Sequence, residues 1–328
     1  MPKSLNEASL EIISPILDDP RRYGARIIKS PGGATIVDMG VEADGSWLGA
    51  KLWVEAAHGG MGEFSYGRMQ IKDIEVPTAE VVIDNPMLSV IACEVAAWKL
   101  GEGEFAAMGS GPARAKARVD RWAKKVEYED PSPYALLQLQ MPRLPDDAML
   151  QVVADACGIP LASLTAMVAP SASLVGSVQV ASRAVEQCIV ALARTTSFDI
   201  STIMYGNSTA PIAPVIEDEV LAMGRVNDAL LYGGSSGLWV RHPDDDEIRR
   251  VTESIPFSVR AGADYGKSFG EIFEAYGRSI YRIPAHLDGP AKMMMTNLLT
   301  GSVFVAGKID AERLFRSFTQ GKEATRDR

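Results

Sequence analysis

Between Ala156 and Ser182 the chain carries no charged side chain, although 23% of its residues are charged. A silent run of that length belongs to the interior of a folded protein. Pro160, Pro170, Gly158 and Gly176 interrupt it, which excludes one membrane-spanning helix. The pattern predicts a buried strand over residues 163–168, a proline-containing turn, and a long helix over 173–195.

On a helical wheel, Val178, Ser182, Val185 and Ile189 form an apolar stripe. Ser177, Ala181, Ala184 and Cys188 form a face of small residues that permits close packing. Gln179, Arg183 and Glu186 fall at i, i+4 and i+7 as a single polar line. A helix apolar or small nearly all round is a buried one, so its polar line is expected to face a cavity or cleft. Arg183 and Glu186 also have the spacing of an ordinary i,i+3 ion pair, which on a wet surface contributes only about 0.2–0.5 kcal/mol. Burying both charges costs several kcal/mol per ion before partners are counted, so stability is a poor reason to place them there.

The 328 residues, 47% hydrophobic, suffice for a large core in two lobes. A net charge of -9 disfavours binding to a phosphate backbone. The basic cluster Arg114, Lys116, Arg118, Arg121, Lys124 and Lys125 reads as a solvated helix face or a local anion site. The first twenty residues lack the apolar core of a secretory signal. Cys93, Cys157 and Cys188 sit far apart in apolar surroundings, as reduced, packed thiols of a cytoplasmic protein would. No zinc-ligand spacing occurs and the three histidines are scattered, so no metal is expected.

Helices are predicted over 6–17, 48–57, 87–100, 146–156, 217–223, 244–253, 269–276 and 310–318. Strands are predicted over 25–29, 34–39, 63–69, 79–83, 135–140, 202–205, 292–298 and 302–306, with a loop over 206–214. The two kinds interleave without a strict βαβ rhythm, so the class is α/β of the mixed α+β kind. The Gly-rich stretch 101–111 divides the chain into an N-terminal α/β lobe over 1–100 and a second lobe over 101–318. The late strands are able to return to the first lobe, and 319–328 is a polar tail.

Three glycine motifs stand out. Gly101-Glu102-Gly103-Glu104-Phe105-Ala106 matches a dinucleotide fingerprint only as text, because a helix rather than a strand precedes it. Gly233-Gly234-Ser235-Ser236-Gly237 matches Gly-x-Ser-x-Gly, with Asp264 and His286 following in triad order. A nucleophile elbow must join a strand to a helix, so a tight turn is the better reading and a serine hydrolase using Ser235 the rival one. Gly109, Ser110, Gly111 and Pro112 could open a helix whose N–H groups receive an anion, or simply form a strand-to-helix turn.

The run Phe105-Ala106-Ala107-Met108-Gly109-Ser110-Gly111-Pro112-Ala113-Arg114-Ala115 is joined by Ala169-Pro170-Ser171-Ala172-Ser173 and Gly176-Ser177-Val178-Gln179. With Arg183, Glu186, Thr209-Ala210-Pro211-Ile212-Ala213-Pro214, Ala222-Met223-Gly224, Asn227-Asp228-Ala229, Tyr232-Gly233-Gly234 and Asp264-Tyr265-Gly266, it resembles the methenyltetrahydromethanopterin cyclohydrolase family. The resemblance spans nearly the whole chain. It implies a two-lobed subunit with an active-site pocket between the lobes, a homotrimer, and a pterin one-carbon carrier as substrate with no separate cofactor.

The resemblance further implies that Glu186 acts as general base on water and Arg183 orients it. Gln179, Ser173, Gly109, Ser110, Gly111, Asn227 and Asp228 are then the expected substrate contacts. Departures stand at Asn85, where the family often has His, and at Glu94-Val95, where it has Gln-Lys. The segment around His286, from Pro284 to Pro290, departs too. They leave open a tetrahydrofolate-type substrate, or a pterin-binding protein with little turnover.

Overall fold

The computed structural model describes residues 3–101 and 107–319. In chain order its elements are α1 (Leu5–Asp18), β1 (Arg26–Lys29), β2 (Thr35–Asp38), α2 (Trp47–Ala57), β3 (Gly62–Ile71), β4 (Ile74–Asp84) and a π-helical segment (Met87–Glu94). There follow β5 (Trp98–Leu100), β6 (Ala107–Ser110), α3 (Ala113–Ala117), β7 (Ala135–Gln140), α4 (Asp147–Cys157), β8 (Leu164–Ala169), α5 (Leu174–Ala181) and α6 (Ala184–Thr195). The chain continues through β9 (Ile203–Pro211), α7 (Glu219–Gly233), β10 (Ser235–Val240), α8 (Asp245–Ser254), α9 (Phe257–Arg260), α10 (Phe269–Ala275), β11 (Lys292–Asn297), β12 (Val303–Gly307) and α11 (Ala311–Thr319). The class is mixed α/β, as expected. The dinucleotide-like motif at 101–106 and the tail beyond Thr319 lie outside the described residues.

Two compact units divide the chain: Met1–Phe64 with Ile83–Gln179, and Ser65–Val82 with Val180–Arg328. Composition placed a boundary at 100/101, whereas the described residues on either side of that point share the first unit. The chain changes unit three times, inside β3, inside β4, and inside α5 between Gln179 and Val180.

The first unit is built on a six-stranded sheet in the order β1-β2-β8-β7-β6-β5. Strands β2, β8 and β7 run parallel, and the outer pairs are antiparallel. Parallel strands covered on both faces become continuous apolar runs, which is why β7 and β8 were legible. Leu137, Leu139, Leu164, Ala166 and Val168 pack against Leu150, Val153 and Cys157 of α4, all buried. Each large aliphatic side chain so buried contributes about 1.5–3 kcal/mol. Helix α4 starts on Asp146, whose carboxylate accepts from Met149 N, and stops at Gly158 in the left-handed region at φ +65°.

Helix α1 is tied to this sheet by polar groups. Asp130 accepts from Leu5 N, Asn6 N and Ser4 Oγ at 2.7–3.1 Å. Burial alone would raise the Asp130 carboxyl, but hydrogen bonds from Ser4, Ser132 and Asn6 outweigh it and lower its pKa. The Asn6 amide donates to Pro112 O, and its oxygen accepts from Leu136 N.

Two expectations in this unit need correction. The helix expected over 87–100 ends at Glu94, and Trp98 joins the sheet as β5. Its last carbonyls are drawn off from outside the segment. The Arg114 guanidinium donates to Cys93 O at 2.9 Å, with longer bonds to Ile91 O and Ala92 O, and Gly111 N also donates to Cys93 O. Arg114 is therefore wholly buried and held bidentately by Asp120 at 2.9 Å, rather than being part of a solvated basic face.

The second unit is built on a sheet in the order β12-β11-β10-β9-β4-β3, with β10 and β11 parallel and the pairs flanking them antiparallel. Helix α6 packs against β9 and β10, α7 against β9, and α8 against β11 and β12. Strand β9 runs on to Pro211, through what was expected to be a loop, because Gly206 to Thr209 pair with Leu238 to Ser235. Helix α7 likewise continues ten residues past Met223, and is capped at its start by the Asp218 carboxylate, which accepts from Val220 N and Leu221 N. Cys93, Cys157 and Cys188 are buried free thiols, and burial pushes Cys157 up to about 12.

Candidate active site

The helix expected over 173–195 is two helices. Helix α5 ends at Ala181, Ser182 and Arg183 form a turn, and α6 begins at Ala184. Arg183 N donates to Val180 O at 3.0 Å, a tightened i→i−3 bond, and the first bond of α6 runs from Gln187 N to Arg183 O at 2.8 Å. The start of α6 is pinned by β10, where Ser236 Oγ donates to Ala184 O at 2.7 Å.

This break moves Arg183 and Glu186 from mid-helix to a helix start. Arg183 is the residue before α6, and Glu186 lies in its first turn, where unsatisfied backbone N–H groups favour negative charge. Arg183 Nη1 stands 2.7 Å from Glu186 Oε2, and each side chain is only 12% exposed. The pair is thus neither jutting into solvent nor sealed away from it. A carboxylate held in this way has one oxygen oriented by a cation and can take a proton at the other.

A second carboxylate belongs to this region. Asp288 stands just after the turn Ala285–Leu287, which packs on α6. It stands 3.7 Å from Arg194 Nη1, and its own carbonyl accepts from Arg260 Nη1 at 3.0 Å. Burial first, and the charge of Glu186 after it, raise the Asp288 carboxyl pKa against the opposing pull of Gln187, Arg194 and Arg260. Sequence reasoning missed Asp288. It lies about a hundred residues from Glu186, and no spacing rule connects the two.

In the first unit, Gln179 is buried and donates through Nε2 to Gln140 Oε1 at 2.9 Å, while Gln140 donates to Ser171 Oγ at 2.6 Å. Ser173 caps α5: its hydroxyl donates to Pro170 O and accepts from Gly176 N. Gly109 and Ser110 end β6, and Gly111 turns the chain at φ +91° with its N–H given to Cys93 O. The helix that follows has only five residues. In the second unit, Asn227 Nδ2 bonds Met223 O. Asp228 is buried and accepts from Phe269 N at 2.6 Å and Ser317 Oγ at 2.7 Å, so it ties α7 to α10 and α11.

The Gly-x-Ser-x-Gly motif joins the end of α7 to the start of β10, the reverse of a nucleophile elbow. Among the departures from the resemblance, Asn85 occupies a left-handed conformation at φ +47°, which Asn tolerates better than most residues. Glu94 is buried 3.6 Å from His58 Nδ1, and His286 is exposed. Among the described residues no cluster of His, Cys, Asp or Glu could hold a metal, and no helix is long and apolar enough to cross a membrane.

The site's geometry shows an ion pair sheltered at a helix start, and comparison with known proteins defines the class. The family model described as Cyclohydrolase (MCH) matches residues 4–318. A methenyltetrahydromethanopterin cyclohydrolase of Methanocaldococcus jannaschii is 34% identical over 317 residues, 96% of this chain and 98% of the relative. Proteins of the same name from Methanoculleus marisnigri and Methanothermobacter thermautotrophicus are 36% and 31% identical, again over 96% of this chain and 98% and 99% of their own. The chain belongs to the cyclohydrolase (MCH) family and is an enzyme of the ring-opening hydrolase class.

Proposed function

We propose that this enzyme hydrolyses the methenyl bridge of a 5,10-methenyltetrahydropterin, reversibly, to the 5-formyl form, with the tetrahydromethanopterin carrier named for its relatives as substrate. The observation that carries the reading is the Arg183–Glu186 pair, 2.7 Å apart and largely sheltered at the start of α6.

The bridging carbon of such a substrate is cationic, an amidinium carbon between two nitrogens. Water attacks it and loses a proton to Glu186, giving a tetrahedral carbinolamine. One C–N bond then breaks, the departing nitrogen takes up a proton, and the formyl group stays on the nitrogen at position 5. The carboxylate serves twice, as general base and as a negative charge beside the cationic carbon. Arg183, 2.7 Å away, orients it. Gln179 is assigned a hydrogen bond to the heterocycle, in line with the resemblance. The carbon keeps its oxidation level and is electrophilic from the outset, so the reading calls for neither a redox carrier nor a Lewis acid.

The helix-to-strand order at Ser235 argues against the serine-hydrolase alternative. A homo-oligomer, a trimer by resemblance, is supported by the open face of the second unit's sheet. There Val303, Thr296, Trp239 and Tyr205 stand in one register row, and Val305 and Met294 in the next. Val303, Val305 and Tyr205 are 45–55% exposed, and an apolar patch of this kind marks an interaction surface. The three reduced thiols fit a cytoplasmic location.

The test of substrate class is a side-by-side assay on the methenyl forms of tetrahydromethanopterin and tetrahydrofolate, following loss of their near-ultraviolet absorbance. Turnover of the methanopterin form is expected. Preference for the folate form would overturn the choice of carrier, and turnover of neither would overturn the activity.

A further inference from the structure

Gln140 is the last residue of β7 and lies level with Ala169, the last residue of β8, in a parallel pair. In open α/β sheets, ligands bind outside the carboxyl ends of such strands. The chain leaves β8 through Pro170 and Ser171 towards α5, and three polar side chains meet there. The Gln140 amide donates to Ser171 Oγ at 2.6 Å, and its oxygen accepts from Gln179 Nε2 at 2.9 Å. Ser171 and Gln179 are only 1% and 2% exposed, whereas Gln140 is half-buried. Ser173, two residues on, is occupied differently, since its hydroxyl bonds Pro170 O and Gly176 N at the start of α5.

We infer that Gln140 is a positioning residue for substrate recognition: it holds the Gln179 amide with its oxygen towards the heterocycle, to accept from N–H groups of the pterin's pyrimidine ring. This rests on the proposed contact between Gln179 and that ring. The two ends of a glutamine amide are alike in shape and opposite in hydrogen-bonding sense. A fixed partner therefore decides which end a ligand meets. Gln140 takes the Nε2 end of Gln179, and Ser171 fixes Gln140 in turn. An amide held in this way loses less freedom when the ligand binds than one that turns freely. The pyrimidine ring is not the reacting part of the substrate, so the contact is equal in ground and transition states. Its loss belongs in KM rather than in kcat.

The test is steady-state kinetics on methenyltetrahydromethanopterin in Gln140→Leu, Gln140→Glu, Gln179→Leu and the double variant Gln140→Leu with Gln179→Leu. Gln140→Leu should raise KM about tenfold, the worth of one well-made hydrogen bond, with kcat nearly unchanged. Gln140→Glu keeps an acceptor for Gln179 Nε2, and Ser171 Oγ can donate to it, so KM should stay within about twofold of wild type. In the double variant KM should match that of Gln179→Leu alone, because Gln140 acts only through Gln179. Ser171→Ala releases Gln140 and should raise KM about fivefold, so it carries the experiment if Gln140→Leu folds poorly. An unchanged KM in Gln140→Leu or Ser171→Ala overturns the inference. So does a Gln140→Glu enzyme as impaired as Gln140→Leu, or losses that multiply in the double variant. The underlying reading fails separately, if Gln179→Leu keeps the wild-type KM. A raised KM in Gln179→Leu beside a wild-type one in Gln140→Leu refutes only the role of Gln140.

Discussion

Arg183 and Glu186 meet across a helix boundary: the guanidinium lies on the turn that ends α5, and the carboxylate lies in the first turn of α6, 2.7 Å away. In one continuous helix the same two residues would be an ordinary surface-type pair. At the break, the side chains are anchored by different backbone, and the carboxylate gains the favourable end of the helix.

On the proposed mechanism, Arg183 acts by orienting Glu186. Arg183→Met should lower kcat at least tenfold, with some fall in Tm as well because the sheltered Glu186 carboxylate loses its cation. Arg183→Lys should recover only part of the rate, because an ammonium lacks the planar fork. Steady-state kinetics beside thermal melts decide it; a large fall in Tm with intact kcat would assign Arg183 to the fold.

Arg114 is the opposite case. Its buried guanidinium holds Asp120 and closes the π-helical segment. Arg114→Met leaves the Asp120 carboxylate and several carbonyls without their donor, and should cost about 3–5 kcal/mol of unfolding free energy. Denaturant unfolding measures this. A loss under 1 kcal/mol would mean that water replaces the guanidinium without penalty.

Asp228 predicts a pH dependence of stability. Burial pushes its carboxyl up from 3.8 to about 6, only partly offset by Phe269 N and Ser317. The folded state then binds more protons than the unfolded state between about pH 4 and 6. Its contribution is most favourable below that window, declines as pH rises through it, and is flat above. The interval corresponds to roughly 3 kcal/mol. Asp228→Asn imitates the protonated form and should be at least as stable as wild type at pH 8, with the difference vanishing near pH 4. Melts at the two pH values check it, and a variant less stable at pH 8 than at pH 4, each relative to wild type, contradicts it.

The open sheet face makes a prediction about assembly. Val303→Lys with Val305→Lys should convert the protein to smaller species in sedimentation, with little effect on its secondary structure, because both side chains are already more than half exposed. An unchanged sedimentation coefficient would place the interface elsewhere.

What was legible in the sequence followed from burial. Strand β7 is apolar at four of its six positions and buried at five, and α4 has an Asp cap and a Gly stop, so local pattern and tertiary setting agree. The break at Ser182–Arg183 was invisible because neither residue disfavours a helix; what holds it is Ser236, more than fifty residues away. The end of the helical segment at Glu94 depends in the same way on Arg114 and Gly111. The helix predicted over 217–223 runs on through Gly224, since packing against α10 and α11 overrides the propensity of one glycine. At the candidate site, Arg183 and Glu186 were accessible through their spacing and the resemblance. Asp288 was not, because the chain folds it in from a distant loop.

The central claim concerns one carboxylate. Purified wild type and Glu186→Gln, both checked for folding by circular dichroism, are to be compared in the rate at which they bleach methenyltetrahydromethanopterin. The account predicts rapid loss of absorbance in wild type and a rate reduced by about 10²–10⁴-fold in the variant, the range a general base supplies. A variant that turns over as fast as wild type would contradict it.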